Sequence, residues 1–133
     1  MDRLLWVCLA GALGTGARYL IAAMATERFG AGFPWGTLIV NVAGCFLMGA
    51  VMQVSVNVAS LSPNVRLALT TRFLGGLTTY SSFAYETTAL VSNGSRGAAA
   101  LNFGLTTVAC FVAVVLGLGA ANLATRPDRK SVV

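Results

Sequence analysis

Histidine is absent from this sequence of 133 residues, and acidic side chains are scarce, with four aspartate and glutamate residues in total. Without histidine, the chain has no imidazole to relay protons or to ligate a metal ion. It also offers no pair of acids and no nucleophile beside a base. These absences argue against catalysis, and we do not expect this protein to be an enzyme.

Cysteine and charge are also in short supply. The three cysteines, Cys8, Cys45 and Cys110, all fall in apolar segments. Their odd number and their spacing give no disulfide framework and no metal motif, so we interpret them as small apolar side chains. Charged residues make up 10% of the chain, whereas a typical soluble domain carries about 25%. The shortage of charge therefore predicts an integral membrane protein.

Apolar residues fill most of the chain and predict four membrane-spanning helices. The spans cover residues 4–25, 36–60, 64–92 and 98–124, and each exceeds the roughly 20 residues that a helix needs to cross the hydrocarbon core. A polar tail, residues 125–133, follows the last span. The whole chain is then one all-α integral membrane domain, which we expect in the cell (inner) membrane.

Basic residues outnumber acidic ones, but they are scattered over the loops and ends and do not predict nucleic-acid binding. Four spans place both ends on one side, and the basic tail favours a cytoplasmic location for them. Without the tail, Arg3 and Arg66 on that side balance Arg28 and Arg96 on the other. A bias this weak suits a chain that inserts in both orientations.

Residues 75–83 interrupt the third apolar span with two glycines and four serine or threonine residues. Such a run should break a helix at a depth where backbone groups cannot meet water. Irregular chain is tolerated there only where it lines a cavity or binds something. Broken membrane helices are typical of ion and substrate sites in transporters, so the sequence predicts a break with a role in transport.

Several other polar side chains lie within the spans, and each has two interpretations. Arg18 either snorkels to the interface or attracts an ion. Asn41 either bonds to a neighbouring helix or donates to an anion. Asn102, Thr106 and Cys110 share a helical face, either with hydroxyls bonded to their own helix or as a polar stripe along a pore.

A narrow path for a compact anion can be assembled from neutral groups in these spans. The Asn41 amide and hydroxyls such as those of Thr79 and Ser82 supply hydrogen-bond donors. Tyr80 and Phe83 share a helical face, and the edges of their rings carry partial positive charge. A mostly neutral lining binds weakly enough to release the ion, which conduction requires.

The break would also present carbonyl oxygens, which coordinate hard cations. Two symmetry-related breaks meeting at a dimer centre would form a cation cage; the alternative is a kink whose carbonyls bond to nearby hydroxyls. A dimer is expected independently, because a single copy of four helices has no inverted repeat and is too small to enclose a wide pore.

Three motifs make the chain resemble the CrcB/Fluc-type fluoride channels over nearly its whole length. Residues 14–19, GTGARY, look like that family's "GAxxR(Y/W)" pattern. Residues 34–41, PWGTLIVN, look like its "P-x-GTLxVN", and residues 75–83, GGLTTYSSF, look like its "GGLTTFSTF". Any one of these motifs alone would be weak, but the three occur together and in order in a four-span chain.

The resemblance implies a fluoride-selective channel that exports toxic fluoride passively as an antiparallel, dual-topology homodimer. It also implies a structural sodium ion at the dimer centre, held by the carbonyls of Gly75 and Thr78. The matching positions of the fluoride pathway are Asn41, Thr79, Tyr80, Ser82, Phe83, Thr106 and Cys110, and those of the vestibule charges are Arg18 and Glu86.

Three departures from the family pattern bear on rate or selectivity more than on fold. Tyr80 stands in place of a phenylalanine, Cys110 in place of a hydroxyl residue, and Arg72 in place of a glycine just before the break. Two alternative functions remain. A small multidrug-resistance-type exporter would need a carboxylate in its first helix, and the first span has none. A non-transporting membrane scaffold subunit would not need a hydroxyl-rich break.

Overall fold

The computed structural model describes residues 2–58 and 62–125, which are helical apart from short connections. The helices are α1 (Asp2–Phe29), α2 (Trp35–Asn57), α3 (Pro63–Leu67), α4 (Gly75–Leu77), α5 (Tyr80–Ser92) and α6 (Arg96–Thr125), with a π-helical stretch, Ala68–Leu74, between α3 and α4. The expectation of an all-helical protein is confirmed. The predicted end of the second span, at residues 59–60, and the tail after Thr125 lie outside the described residues.

Three helices are long and apolar enough to cross a membrane: Leu4–Phe29, Trp35–Asn57 and Arg96–Thr125. The segment predicted as the third span is bent and divided into shorter pieces. It begins at Ser62, whose side chain accepts a hydrogen bond from the Val65 N–H, and Pro63 follows in the first turn. Both features favour a helix start.

The break in this segment falls within residues 75–83, as predicted, but after the two glycines. Gly75 and Gly76 are helical, and the chain becomes extended at Thr78 (φ −84°, ψ 157°) and Thr79 (φ −152°, ψ 116°). Threonine is branched at Cβ and tolerates extended backbone well. Gly76 instead allows close packing, because a Cβ there would lie 2.6 Å from the carbonyl oxygen of Gly11.

The most extensive helix–helix contact joins α2 and α6. The two helices run parallel, because Gly49 contacts Val114 and, further along both helices, Asn57 contacts Asn122. Two glycines let their backbones touch: a Cβ on Gly49 would collide with the carbonyl oxygen of Val114, and a Cβ on Gly117 would collide with that of Phe46. Near the ends of both helices, the Asn57 amide donates to Asn122 Oδ1 at 3.3 Å and to Thr125 Oγ1 at 2.8 Å. Small residues at such contacts are typical of helix packing in lipid.

The apolar core is small and lies where α1, α2 and the third segment meet. Val40, Leu74 and Leu77 form it, with Ile21 and Phe73 among the side chains that cover it. Most of the large apolar side chains of α1 and α6 are exposed instead. This distribution is typical of helices that face lipid.

Gly117→Ala should destabilise the protein, whereas the matched change Gly119→Ala should not. The first places a methyl group against the Phe46 carbonyl, and the second meets nothing within 4 Å. Overpacking of this kind costs about 1–3 kcal/mol, while alanine in place of an exposed helical glycine gains up to ~1 kcal/mol. Thermal unfolding in detergent measures the difference, and equal midpoints for the two variants would contradict the role assigned to Gly117.

Candidate functional site

The side chain of Asn41, on α2, holds the extended chain at the break. Asn41 Nδ2 donates to the Thr79 carbonyl at 3.0 Å, and the Thr79 N–H donates to Asn41 Oδ1 at 2.7 Å. Both residues are 8% exposed. The amide therefore pairs with both backbone groups of Thr79, as a neighbouring strand would, and satisfies buried groups that otherwise have no helical partner.

This contact bears on both interpretations of Asn41. An asparagine amide carries two N–H donors, and only one of them is used by Thr79. The same side chain lines a cavity beside the break. Asn41 is thus part of the packing between helices, and it keeps one donor that the Thr79 bonds do not use.

The hydroxyls after the break form the start of α5. Thr79 is the N-cap residue, and its Oγ1 accepts from the Ser82 N–H at 3.2 Å. The hydroxyls of Ser81 and Ser82 lie 3.3 Å and 3.1 Å from the same oxygen. A helix N-terminus carries partial positive charge and exposed N–H groups, so this end of α5 is a favourable surrounding for an anion.

Six of the predicted pathway residues line one cavity of about 370 Å³, which we call cavity 1. They come from α2, from the break and α5, and from α6, so that no single element forms the site. Within cavity 1 they are the following: Asn41, Thr79, Tyr80, Phe83, Thr106 and Cys110. None of the six side chains carries a formal charge in its ordinary protonation state at neutral pH.

The aromatic rings of cavity 1 form a short row. The Tyr80 and Phe83 centroids are 5.7 Å apart with the rings tilted by 57°, and Phe83 stacks on Phe103 of α6 at 6.1 Å. Phe83 is 5% exposed, whereas Tyr80 is 78% exposed. The stack on Phe103 fixes the orientation of the Phe83 ring and leaves Tyr80 at the open edge of the cavity.

A hydrogen-bonded chain of polar side chains supports the α6 wall of cavity 1. The buried Asn102 amide donates to Thr87 Oγ1 at 2.8 Å, and Thr106 Oγ1 donates to Asn102 Oδ1 at 3.3 Å. Thr87 in turn donates to the Phe83 carbonyl at 2.7 Å. Thr107, by contrast, bonds back to the carbonyl of Phe103 at 2.6 Å. The stripe on α6 therefore joins α6 to α5 and also reaches the cavity through Thr106.

The predicted pathway and vestibule residues that do not line cavity 1 meet in a second cavity of about 280 Å³, which we call cavity 2. Arg18, Ser82 and Glu86 line it, and Thr79 borders both cavities. Glu86 Oε1 accepts from the Thr37 hydroxyl at 2.8 Å, and its Oε2 is buried without a hydrogen-bond partner among the described residues. Both charged residues of the predicted site thus line cavity 2, beside neutral side chains such as Ser82, and no charged residue of the described part of the chain lines cavity 1.

The backbone at Gly75 and Thr78 fits a cation site of carbonyl oxygens. In a continuous helix, the Gly75 carbonyl would accept from the Thr79 N–H, which is bonded to Asn41 instead. Likewise, the Ser82 N–H that would serve the Thr78 carbonyl is bonded to Thr79 Oγ1. Gly75 is exposed, and nothing lies within 4 Å of the position of a Cβ on it. Both carbonyls have lost their helical donors, and Gly75 itself is an exposed residue.

Arg72 lines neither cavity 1 nor cavity 2. It lines a cavity with Trp6 and Asn64, towards the start of that segment, and it is half-buried. Side chains on a helix lean towards its N-terminus, and this is the direction away from the break.

Sequence reasoning missed several contributors to cavity 1 and its walls, three of which are polar or aromatic side chains with a clear role. Cys45 lines the cavity, Phe103 supports the Phe83 ring, and Thr87 completes the polar chain. The spacing of four between Asn41 and Cys45 places them on one helical face, and this signal could have identified Cys45. No sequence pattern indicates Phe103 or Thr87, because their contacts depend on how α5 packs against α6.

Comparison with known proteins gives a consistent result. A family model described as "CrcB-like protein, Camphor Resistance (CrcB)" matches residues 5–118. The "Fluoride-specific ion channel FluC" of Anaeromyxobacter sp. (strain K) is 53% identical over 113 residues, which cover 85% of this chain and 90% of that protein. The protein of the same name from Sorangium cellulosum is 48% identical, over 89% of this chain and 93% of its own length. The one from Geobacter sulfurreducens is 42% identical, over 91% of this chain and 98% of its own length.

Asn41→Ala should open the break, because it leaves both backbone groups of Thr79 without partners. An unsatisfied buried group costs about 1–3 kcal/mol, and 1.4 kcal/mol corresponds to roughly a tenfold change in an opening equilibrium. Hydrogen–deuterium exchange of the peptide spanning residues 78–83 should therefore speed up by about that factor. Asn93→Ala, in the exposed connection before α6, is the control. Unchanged protection in the Asn41 variant would show that the Thr79 bonds do not hold the break.

Proposed function

The chain belongs to the CrcB-like protein family, and on this premise we propose that it is a fluoride-specific ion channel that exports fluoride passively across the membrane. It is a multi-pass membrane protein, and its relatives are channels and not enzymes. The observation that carries the proposal is cavity 1, where the residues expected from the sequence converge on one neutral, donor-bearing space beside the break.

The proposed path for fluoride runs from cavity 2, past Thr79, into cavity 1. Arg18 favours the entry of anions into cavity 2. In cavity 1 the spare N–H of Asn41, the hydroxyl groups and the ring edges of Tyr80 and Phe83 replace the water that a small anion loses. These neutral groups bind the ion without trapping it. A larger anion of the same charge forms weaker hydrogen bonds, so it recovers less of its hydration energy from the same lining.

We propose that the channel is an antiparallel, dual-topology homodimer. Cavity 1 is bordered by Tyr80 and Phe111, which are 78% and 73% exposed on the single subunit. Rings of this size are well placed to be covered by a second copy that closes the path. The single four-helix copy has no inverted repeat, and its basic residues outside the tail are balanced between the two sides. An antiparallel partner would supply the two-sided symmetry.

A sodium ion at the dimer centre is part of the same proposal. The Gly75 and Thr78 carbonyls lack their helical donors, and carbonyl oxygens suit hard monovalent ions. Two copies of this surface, brought together at Gly75, would surround one ion. The ion would satisfy several carbonyls at once at a depth where water does not reach.

Fluoride efflux from proteoliposomes, followed with a fluoride electrode, tests the function directly. We expect passive release of fluoride and no comparable release of chloride. Asn41→Asp should abolish it, because a carboxylate in the path repels the anion and has no N–H to offer. Asn93→Asp makes the same chemical change outside both cavities and should conduct normally. Chloride release as fast as fluoride release, or normal efflux through folded Asn41→Asp protein, would contradict the proposal.

Phe83→Ile should reduce fluoride efflux in the same assay by roughly fivefold, since interactions at ring edges are worth about 1 kcal/mol. The isoleucine keeps an apolar side chain at a buried position, so dimer formation should persist. Undiminished efflux would remove the ring edge from the proposed path.

Gly75→Val tests the sodium site. A Cβ at Gly75 meets nothing within 4 Å in the subunit, so we expect the fold to survive, whereas the larger side chain would take up space at the surface where the two copies of Gly75 are proposed to meet. We expect the variant to form fewer dimers in detergent and to release fluoride more slowly. The parent protein should show the same decrease in dimer content and in efflux rate when potassium or choline replaces sodium. Gly97→Val, also in open space, is the control. Dimer content and efflux that are indifferent to sodium would rule out the ion.

A further inference from the structure

Two cysteines face each other across the contact between α2 and α6. Gly49 lies against Val114, and Cys45 and Cys110 each come one helical turn earlier in their helices. Because the two helices run parallel, and residues four apart share a face, the close contact at Gly49 places Cys45 opposite Cys110.

This pair belongs to the wall of cavity 1. Both thiols are free, and both residues line the cavity beside Asn41 and Thr106, which lie one further turn back on the same two helices. Each cysteine side chain is half-buried. The sequence suggested small apolar side chains at both positions, and the family resemblance placed Cys110 alone in the pathway, but the fold brings both residues to the surface of the proposed fluoride path.

We propose that Cys45 and Cys110 form a binding site for a soft, thiophilic metal ion such as Hg²⁺ or Cu⁺, and that an ion bound there blocks the fluoride path. Thiolate sulfur is the ligand that soft ions prefer. Binding of Hg²⁺ forms two sulfur–metal bonds, breaks two S–H bonds and releases two protons, without oxidation or reduction.

The donor set indicates which ions would fit. Among the described residues, no group of three histidine, cysteine or acidic side chains could surround a metal, so a four-ligand zinc site of the usual kind is not available. Two opposed sulfurs are sufficient for ions that accept linear two-coordination. The site therefore discriminates by coordination number as well as by softness.

Blockage follows from the position of the site and depends on the proposed function. A metal bridging Cys45 and Cys110 would occupy part of the cavity of about 370 Å³ that Asn41 and Phe83 also line. It would fill space that the fluoride ion must cross. It would also tie α2 to α6 at this level.

Metal binding is tested first, without any reference to transport. The background is full-length Cys8→Ser protein, which keeps only the pair; Cys8 is exposed on α1 and lies outside cavity 1. Titration with Hg²⁺ alone should produce the ultraviolet absorbance of a mercury bis-thiolate, saturating at one ion per subunit with loss of both reactive thiols. Saturation at two ions per subunit, or no protection of the thiols, would overturn the site.

Cys45→Ser and Cys110→Ser in the same background should each lose the bis-thiolate band. If a serine variant does not fold, the alanine variant at the same position is used in its place. If neither the serine nor the alanine variant folds, the titration of the Cys8→Ser parent alone decides whether the metal site exists. A band of undiminished intensity in either single variant would show that the metal binds elsewhere.

Transport is measured on the same proteins in liposomes, each normalised to its own rate without metal. Hg²⁺ should stop fluoride efflux through the Cys8→Ser protein, a dithiol chelator should restore it, and both single variants should lose the block. Block that persists in the single variants would contradict the inference. Absence of fluoride efflux before metal is added would overturn the proposed function instead, and the binding titration would still decide the metal site.

Discussion

The two hydrogen bonds between the Asn41 amide and the Thr79 backbone are the contact on which the rest of the site depends. A helix interrupted within a membrane must satisfy its free backbone groups inside the protein. Asn41 does this from another helix, so the break is held to α2 at a fixed level. The same bonds divert the Thr79 N–H from the Gly75 carbonyl, which frees that oxygen. One side chain therefore positions the start of α5 and prepares the proposed cation site.

Close backbone contacts make this arrangement possible. Gly44 leaves room for the methyl group of Thr78, and a Cβ at that glycine would collide with it. Gly76 allows the third segment to approach α1, and Gly36 allows α2 to approach Ala22. Lipid tails are as apolar as the side chains they would replace, so helices in a membrane associate through such packing and through interhelical hydrogen bonds. The small core around Val40 is sufficient because these contacts supplement it.

Charged residues line cavity 2 and, within residues 2–58 and 62–125, are absent from the lining of cavity 1. Arg18 and Glu86 line cavity 2 together with hydroxyl groups such as that of Ser82, whereas cavity 1 is lined by amide, hydroxyl, thiol and aromatic groups and by no charged residue among those that the structure describes. Along the proposed fluoride path, the charge of Arg18 attracts the anion at the entrance, and the neutral groups of cavity 1 coordinate it weakly and directly in the interior. Several groups along the path also hold helices together, as Thr106 does through Asn102 and Thr87. Packing and passage therefore use the same side chains, and the two interpretations of each polar residue do not exclude one another.

The sequence by itself determined the membrane class, the three long helices and the approximate position of the break, because these follow from hydropathy and from a local run of hydroxyl residues. It also indicated which residues of α2, α5 and α6 would be polar on one face. It placed the break within residues 75–83, and the structure places it at Thr78 and Thr79, after the two glycines. Gly75 and Gly76 remain helical, and the partner that stabilises the extended chain is Asn41. Only the tertiary structure decided this, and only it brought Cys45 to Cys110 and Phe103 to Phe83. The first pairing depends on the register of α2 against α6, which is fixed by backbone contacts at Gly49 and Gly117. The second depends on how α5 packs against α6, and neither arrangement is encoded in a local pattern.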